Sequence, residues 1–206
     1  RYVTGVQTCA LPILRGAGVL DYRFNNLDVL RAERGCLVIA NHPSLLDYVL
    51  LASVMNETDC LVKSALLRNP FVSGVIRAAD YLINSEADTL LAASQQRLAQ
   101  GDTLLIFPEG TRTRVGEAMT LQRGAANIAV RCNSAVRVVV IHCSERMLDK
   151  QSSWYNVPPN KPVFTVDVRE RINIHDFYDA SQHEPALAAR QLNRHMQHQL
   201  TTGLQS

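Results

Sequence analysis

Short apolar runs that stop abruptly at polar loops dominate this sequence: CLVIA at 36–40, TLLIF at 103–107, VRVVVIH at 136–142 and VFTVDV at 163–168. Each reads as a strand. The segments between them read as helices. Ser85 is placed to cap a helix from Glu86 to about Gln100, which Gly101 stops. Leu121–Cys132 reads as another helix, and Pro185 to about Leu200 as a polar, amphipathic C-terminal one. Further strands are expected at Val19–Phe24, Cys60–Lys63 and Tyr81–Ile83. Further helices are expected at Phe71–Ala79 and from Pro43, a residue favoured at the first helical position, to about Val54. Strands alternating with helices define an α/β fold. The 206 residues suit one domain with a substantial core, and no repeat or linker divides them.

Composition removes some functions. The formal charge, 21 − 19 = +2, and the lack of basic runs interleaved with aromatics argue against a nucleic-acid partner. No apolar run reaches the length of a transmembrane helix. Cys36, Cys60, Cys132 and Cys143 show neither a CxxC nor a metal-ligand spacing, and read as small buried hydrophobes in a reducing compartment. The stretch VTGVQTCALPI, Val3 to Ile13, resembles the in-frame translation of a common sequencing adapter. Residues 1–13, Cys9 among them, are therefore expected to be a non-native artefact preceding a domain at 14–206. The native N-terminus, with any membrane anchor, is then expected to be missing.

Two polar stretches carry the chemistry. In NHPSLLD, residues 41–47, His42 follows a strand and precedes a helix, the place where α/β proteins bind ligands. Asp47 lies five residues on, about 140° around a helix, so the two cannot share a helical face. The ring meets the carboxylate only if His42 stands outside the helix. An Asp accepting from one ring nitrogen fixes the tautomer and leaves the other nitrogen as a base for a hydroxyl proton. Spacing alone leaves a second reading open: a His capping the helix and an Asp on its solvent face. In FPEGTRT, residues 107–113, Gly110 permits unusual backbone angles and close ligand approach. Arg112 offers a planar fork for phosphate or carboxylate, Thr111 adds a hydroxyl, and Glu109 suits either Arg112 or a substrate hydroxyl. By itself this loop also reads as a polar turn with a surface ion pair.

Together the stretches resemble the NHxxxxD and FPEGTR blocks of the glycerolphosphate and lysophospholipid acyltransferases, the 1-acylglycerol-3-phosphate acyltransferases among them, over Val19 to about Val168. The resemblance implies a single α/β domain of the glycerol-3-phosphate acyltransferase type, with a mixed, mostly parallel sheet flanked by helices. It implies phospholipid biosynthesis by O-acyl transfer, from acyl-CoA or acyl-carrier protein to a hydroxyl of a lysophospholipid such as 1-acylglycerol 3-phosphate. The family's catalytic pair falls on His42 and Asp47. Its acceptor-binding residues fall on Ser44, Glu109, Gly110, Thr111 and Arg112, with Arg112 near the acceptor's phosphate. The thioester is a co-substrate, and neither cofactor nor metal is expected. With no GxSxG elbow, the acceptor hydroxyl attacks directly. The implied partners are the donor, the lipid acceptor and a membrane surface. The implied location is peripheral on the cytoplasmic face of a bacterial inner membrane, or cytoplasmic.

Two departures qualify the acceptor. The family's second block usually ends in Arg, where DYLINS, residues 80–85, has Asn84; its fourth usually carries a Pro, where AVRVVVIHC has Arg137 and none. Asn84 keeps open a non-phosphate lipid, a glycolipid or a specialised-metabolite hydroxyl, unless Lys63, Arg77, Arg114 or Arg123 compensates. A non-catalytic lipid-binding relative is a further reading, against which the intact His42 and Asp47 argue. Among weaker signals, His195 and His198, with His175 and His183 upstream, read as a solvated helix face rather than a metal site. His142 reads as a core histidine, and Trp154 with Tyr155 as cover for the core edge. Lys63 and Arg68, flanking Leu66 and Leu67, suit anionic headgroups or a plain surface helix.

Overall fold

The computed structural model describes residues 11–55, 58–63, 82–84, 87–112, 116–151, 156–179 and 184–204. In chain order the elements are β1 (Asp21–Asn25), α1 (Leu27–Ala32), β2 (Leu37–Ala40), α2 (Asp47–Ala52), β3 (Thr58–Lys63) and β4 (Leu82–Asn84), followed by α3 (Ala87–Ala99), β5 (Thr103–Ile106), α4 (Gly124–Arg131), β6 (Val136–Cys143), β7 (Val163–Ile172) and α5 (Pro185–Gly203). The strands form a 7-stranded sheet in the order β1-β7-β6-β2-β5-β3-β4. Only β6 and β7 run antiparallel; the other described pairings are parallel. This is the expected single α/β domain with a mixed, mostly parallel sheet flanked by helices.

The sheet is covered on both faces, which is why β2 and β5 read as unbroken apolar runs and are buried at every position. Alternate residues go to opposite layers. Leu37 and Ile39 of β2, with Val138 and Val140 of β6, meet α4 and α5; Val38 and Ala40, with Val139 and Ile141, meet Leu30 of α1 and Leu50 and Leu51 of α2. Helix α5 docks through Ala188, Leu192, Met196 and Leu200, one stripe at a spacing of four, and Pro185 opens it. Leu11 is buried in the second layer, although it falls in the segment expected to be foreign.

Several boundaries differ from expectation for local reasons. Helix α2 begins at Asp47 rather than Pro43, because the Asp47 carboxylate accepts the Ser44 N–H at 2.7 Å and folds 43–46 into a turn. Helix α4 begins at Gly124 rather than Leu121, because the Gln122 N–H donates to the Pro108 carbonyl at 2.7 Å. Helix α1 was not anticipated; its six residues LDVLRA bury only Leu30 and carry little periodic signal. Strand β7 continues past Val168 through the polar RERI, where Ile172 pairs with Val136. His142 is exposed, not in the core, since β6 leaves the helix layers after Ile141. The helix expected at Phe71–Ala79, the pair Trp154–Tyr155, His183, Leu66, Leu67, Arg68, Arg77 and Arg114 lie outside the described residues.

Arg137, the charge within the apolar run of β6, has a built partner. Its Nε donates to Glu33 Oε1 at 2.6 Å and its Nη1 to the Arg169 carbonyl at 2.8 Å. The Cys36 thiol donates to Glu33 Oε2 at 3.2 Å, and Arg171 Nη1 lies 3.9 Å from the same oxygen. Burial, then the Glu33 charge, pushes the Cys36 thiol up to about 12. This cluster, buried but for the half-exposed Arg171, sits where β2 and β6 begin, at the opposite end of the sheet from the two motif loops.

Candidate active site

Strand β2 ends at Ala40, and the Asn41 side chain continues its pairing with β6. Its Nδ2 donates to the Ile141 carbonyl and its Oδ1 accepts the Ile141 N–H, each at 2.7 Å. His42 therefore emerges at a fixed point beyond the strand end. Its Nδ1 lies 2.9 Å from Asp47 Oδ2, and its ring stacks on Phe107 with centroids 4.3 Å apart and planes at 24°. The His42 main-chain N–H donates to Glu109 Oε1 at 3.0 Å. The two motifs meet because β2 and β5 are parallel neighbours, Ile39 beside Ile106, and so release their loops on the same side.

Asp47 is fully buried. Its Oδ2 serves both His42 and the Ser44 N–H, while Oδ1 is buried without a hydrogen-bond partner. Burial pushes the carboxyl up to about 6; the bonds from His42 and Ser44 pull it down, and the nearby Glu109 charge adds a smaller upward push. A carboxylate so desolvated interacts strongly with any positive charge that develops on the imidazole beside it. With Nδ1 committed to Asp47, Nε2 is the ring nitrogen left to take a proton.

Gly110 turns the second loop with φ of 68°, and its N–H donates to the Phe107 carbonyl at 2.9 Å. Arg112 does not pair with Glu109, one of the two partners the sequence suggested for that carboxylate. Its Nη1 donates instead to the carbonyls of Leu148 and Asp149, each at 2.7 Å. The Leu148 carbonyl also accepts the Leu45 N–H at 3.2 Å, so the segment after β6 bridges both motifs. Leu148 adopts a φ of 50°, sparsely populated for leucine. The Asp149 carboxylate braces the segment by accepting from Arg146 Nε at 2.8 Å and the Gln151 N–H at 2.7 Å.

A cleft of about 170 Å³ is lined by Glu109, Thr111, Arg112, Glu117, Thr120 and Lys150. Three residues expected at the acceptor site thus share one cavity, next to His42 through Glu109. Ser44 is not among them: it is buried, its N–H serves Asp47, and its Oγ accepts the Leu46 N–H at 3.3 Å. A larger cleft of about 900 Å³, lined by Arg131, His175 and Tyr178, opens where α4 ends, away from this chemistry. His195 rests against Phe177 at 5.1 Å. Among the described residues no three His, Cys, Asp or Glu gather to hold a metal ion, and no helix is long and apolar enough to cross a membrane. Sequence reasoning missed Asn41, Phe107 and Lys150. The first two open its motifs and could have been read from the ends of the apolar runs. The Leu148 and Asp149 carbonyls gave no signal, because they act through the main chain.

The family model described as Acyltransferase matches residues 21–144. A 1-acyl-sn-glycerol-3-phosphate acyltransferase of Helicobacter pylori is 30% identical over 112 residues, covering 51% of this chain and 47% of the relative. One from Pseudomonas aeruginosa is 26% identical over 155 residues, 72% of this chain and 59% of its own length. The human 1-acyl-sn-glycerol-3-phosphate acyltransferase beta is 29% identical over 143 residues, 66% and 48% respectively. The chain thus spans about half the length of these curated relatives. The crystal structure of the 1-acyl-sn-glycerophosphate acyltransferase PlsC from Thermotoga maritima superposes with a TM-score of 0.68 over 99% of this chain and 79% of that one, at 19% identity, and so shares the fold. With the family match taking in His42, Asp47 and the Glu109–Arg112 loop, the chain belongs to the acyltransferase family, within the glycerolphosphate acyltransferase superfamily.

Proposed function

We propose that this chain transfers a fatty acyl group from a thioester, acyl-CoA or acyl-carrier protein, to a hydroxyl of a lysophospholipid such as 1-acylglycerol 3-phosphate. The observation that carries the reading is the His42–Asp47 pair, 2.9 Å apart at the exit of β2, with its carboxylate wholly buried. His42 Nε2 takes the proton of the acceptor hydroxyl as its oxygen attacks the thioester carbon. Asp47 holds the tautomer and faces the imidazolium that forms. The tetrahedral intermediate then collapses with cleavage of the C–S bond, and the thiolate leaves and takes up the proton. Glu109, Thr111 and Arg112, which line one cavity, shape the acceptor cleft together with Gly110 of the same loop. The enzyme acts on lipid at the cytoplasmic face of a membrane, or in the cytoplasm.

Asn84, aligned with Lys63 at the end of β4, favours a second reading in which the acceptor carries no phosphate. Thiol release from acyl-CoA, with and without lysophosphatidic acid, separates the two. Release that needs both the acceptor and His42 is the expected result. Unchanged transfer by His42→Ala overturns the mechanism, whereas release with a neutral lipid acceptor alone selects the second reading.

A further inference from the structure

Lys150 lies in neither motif, yet it lines the cleft that holds Glu109, Thr111 and Arg112. The main chain is held on both sides of it. Before it, the carbonyls of Leu148 and Asp149 accept from Arg112 Nη1 at 2.7 Å each, and the Leu148 carbonyl also accepts the Leu45 N–H. After it, the Gln151 N–H donates to the buried Asp149 carboxylate at 2.7 Å, so that a closed turn carries residue 150 at its tip. Leu148 keeps its φ of 50° within this frame, a costly conformation that persists only where the surroundings over-determine it. Lys150 itself is exposed, and among the described residues its side chain has neither an ion pair nor a hydrogen bond. A braced, strained turn thus holds an uncommitted cation at the cleft. Among the described residues the ionisable side chains lining that cleft are Glu109, Glu117, Arg112 and Lys150, two acids balanced by two bases. Arg112 has N–H groups left beyond those on Nη1. Its single charge does not offset two carboxylates, and a phosphate monoester brings about 1.5 to 2 further negative charges at pH 7. With Lys150 the cleft is neutral before the phosphate arrives; without it the cleft repels one.

We propose that Lys150 is a specificity-determining residue whose ammonium contacts the acceptor's phosphate and selects phosphorylated acceptors over neutral ones. The inference rests on acyl transfer to a lysophospholipid. An ammonium meets phosphate as a point charge with three donors, so it needs no bidentate geometry and works from an exposed turn. Two variants separate charge from bulk. Lys150→Met keeps an unbranched stem and loses the charge. Lys150→Arg keeps the charge.

The full chain and both variants are compared in thiol release from acyl-CoA, in micelles of a nonionic detergent. The acceptors are 1-acylglycerol 3-phosphate and 1-acylglycerol, which differ only in the phosphate. The readout is the ratio of kcat/KM for the two. Lys150→Met is expected to lower that ratio by about ten- to a hundredfold, through a raised KM for the phosphorylated acceptor, the scale of one hydrogen bond between charged groups. Lys150→Arg is expected to recover most of the loss. A ratio unchanged in Lys150→Met, or a fall in kcat/KM equal for both acceptors, overturns the proposal while leaving the lysophospholipid reading in place. A wild type that acylates only the neutral lipid overturns both. If wild type releases no thiol with either acceptor, the catalytic reading fails, and ³¹P NMR titration with a soluble short-chain lysophosphatidic acid still decides. A Kd weaker by about tenfold or more in Lys150→Met supports the phosphate contact. Equal Kd values, or no binding by wild type, overturn it.

Discussion

Replacing Asp47 with Asn separates what this carboxylate does for catalysis from what it costs the fold. The unfolded carboxyl titrates near 3.8 and the folded one near 6, raised chiefly by burial. Between those values the folded protein holds a proton that the unfolded chain has released. Stability therefore falls as pH rises through that window and levels off above it. Roughly two pH units at about 1.4 kcal/mol each put the loss at about 3 kcal/mol. Asn removes this ionisation, and its oxygen can still accept the Ser44 N–H and the His42 ring. Its amide nitrogen then falls where Oδ1 lies without a partner, which offsets about 1–3 kcal/mol of the gain. Asp47→Asn should thus be no less stable than wild type at pH 7, within about 1 kcal/mol, and should lack the wild-type decline between pH 4 and 6. Its kcat should fall by roughly 10²–10⁴-fold, since the imidazolium no longer faces a negative charge. Urea unfolding across that pH range and thiol release at pH 7 make the two measurements. A destabilisation of about 3 kcal/mol or more at pH 7, as for a broken structural ion pair, would refute the stability argument. Retained kcat would refute the pairing.

Two further outcomes concern the scaffold. Glu33→Ala leaves Arg137 buried without its counter-charge and should cost about 3–5 kcal/mol in urea unfolding, with kcat unchanged because the cluster lies at the far end of the sheet. Gly203→Ala places a methyl group 2.6 Å from Val140 Cγ2 and should lower stability by about 1–3 kcal/mol, seen as a lower Tm, since β6 leaves Val140 little room to move.

The core strands are local properties legible in the sequence, which also marked His42 and Asp47 as a candidate pair. CLVIA and TLLIF are buried on both faces and so read as strands without help from their neighbours. The five-residue gap from His42 to Asp47 let the ring meet the carboxylate only from outside the helix, one of two readings the spacing left open, and there the two do meet. Tertiary structure decided which partner each polar group takes. Glu109 meets His42 across 67 residues and Asn41 meets Ile141 across 100, contacts that exist only because β2 lies between β5 and β6. Arg112 is turned to the Leu148 and Asp149 carbonyls by a loop with no side-chain signature. Helix α2 starts late because one carboxylate accepts one N–H, a choice that apolar spacing does not encode. Hydrophobic pattern fixes where a segment is buried; hydrogen-bond partners depend on strand order, and strand order is a property of the assembled sheet.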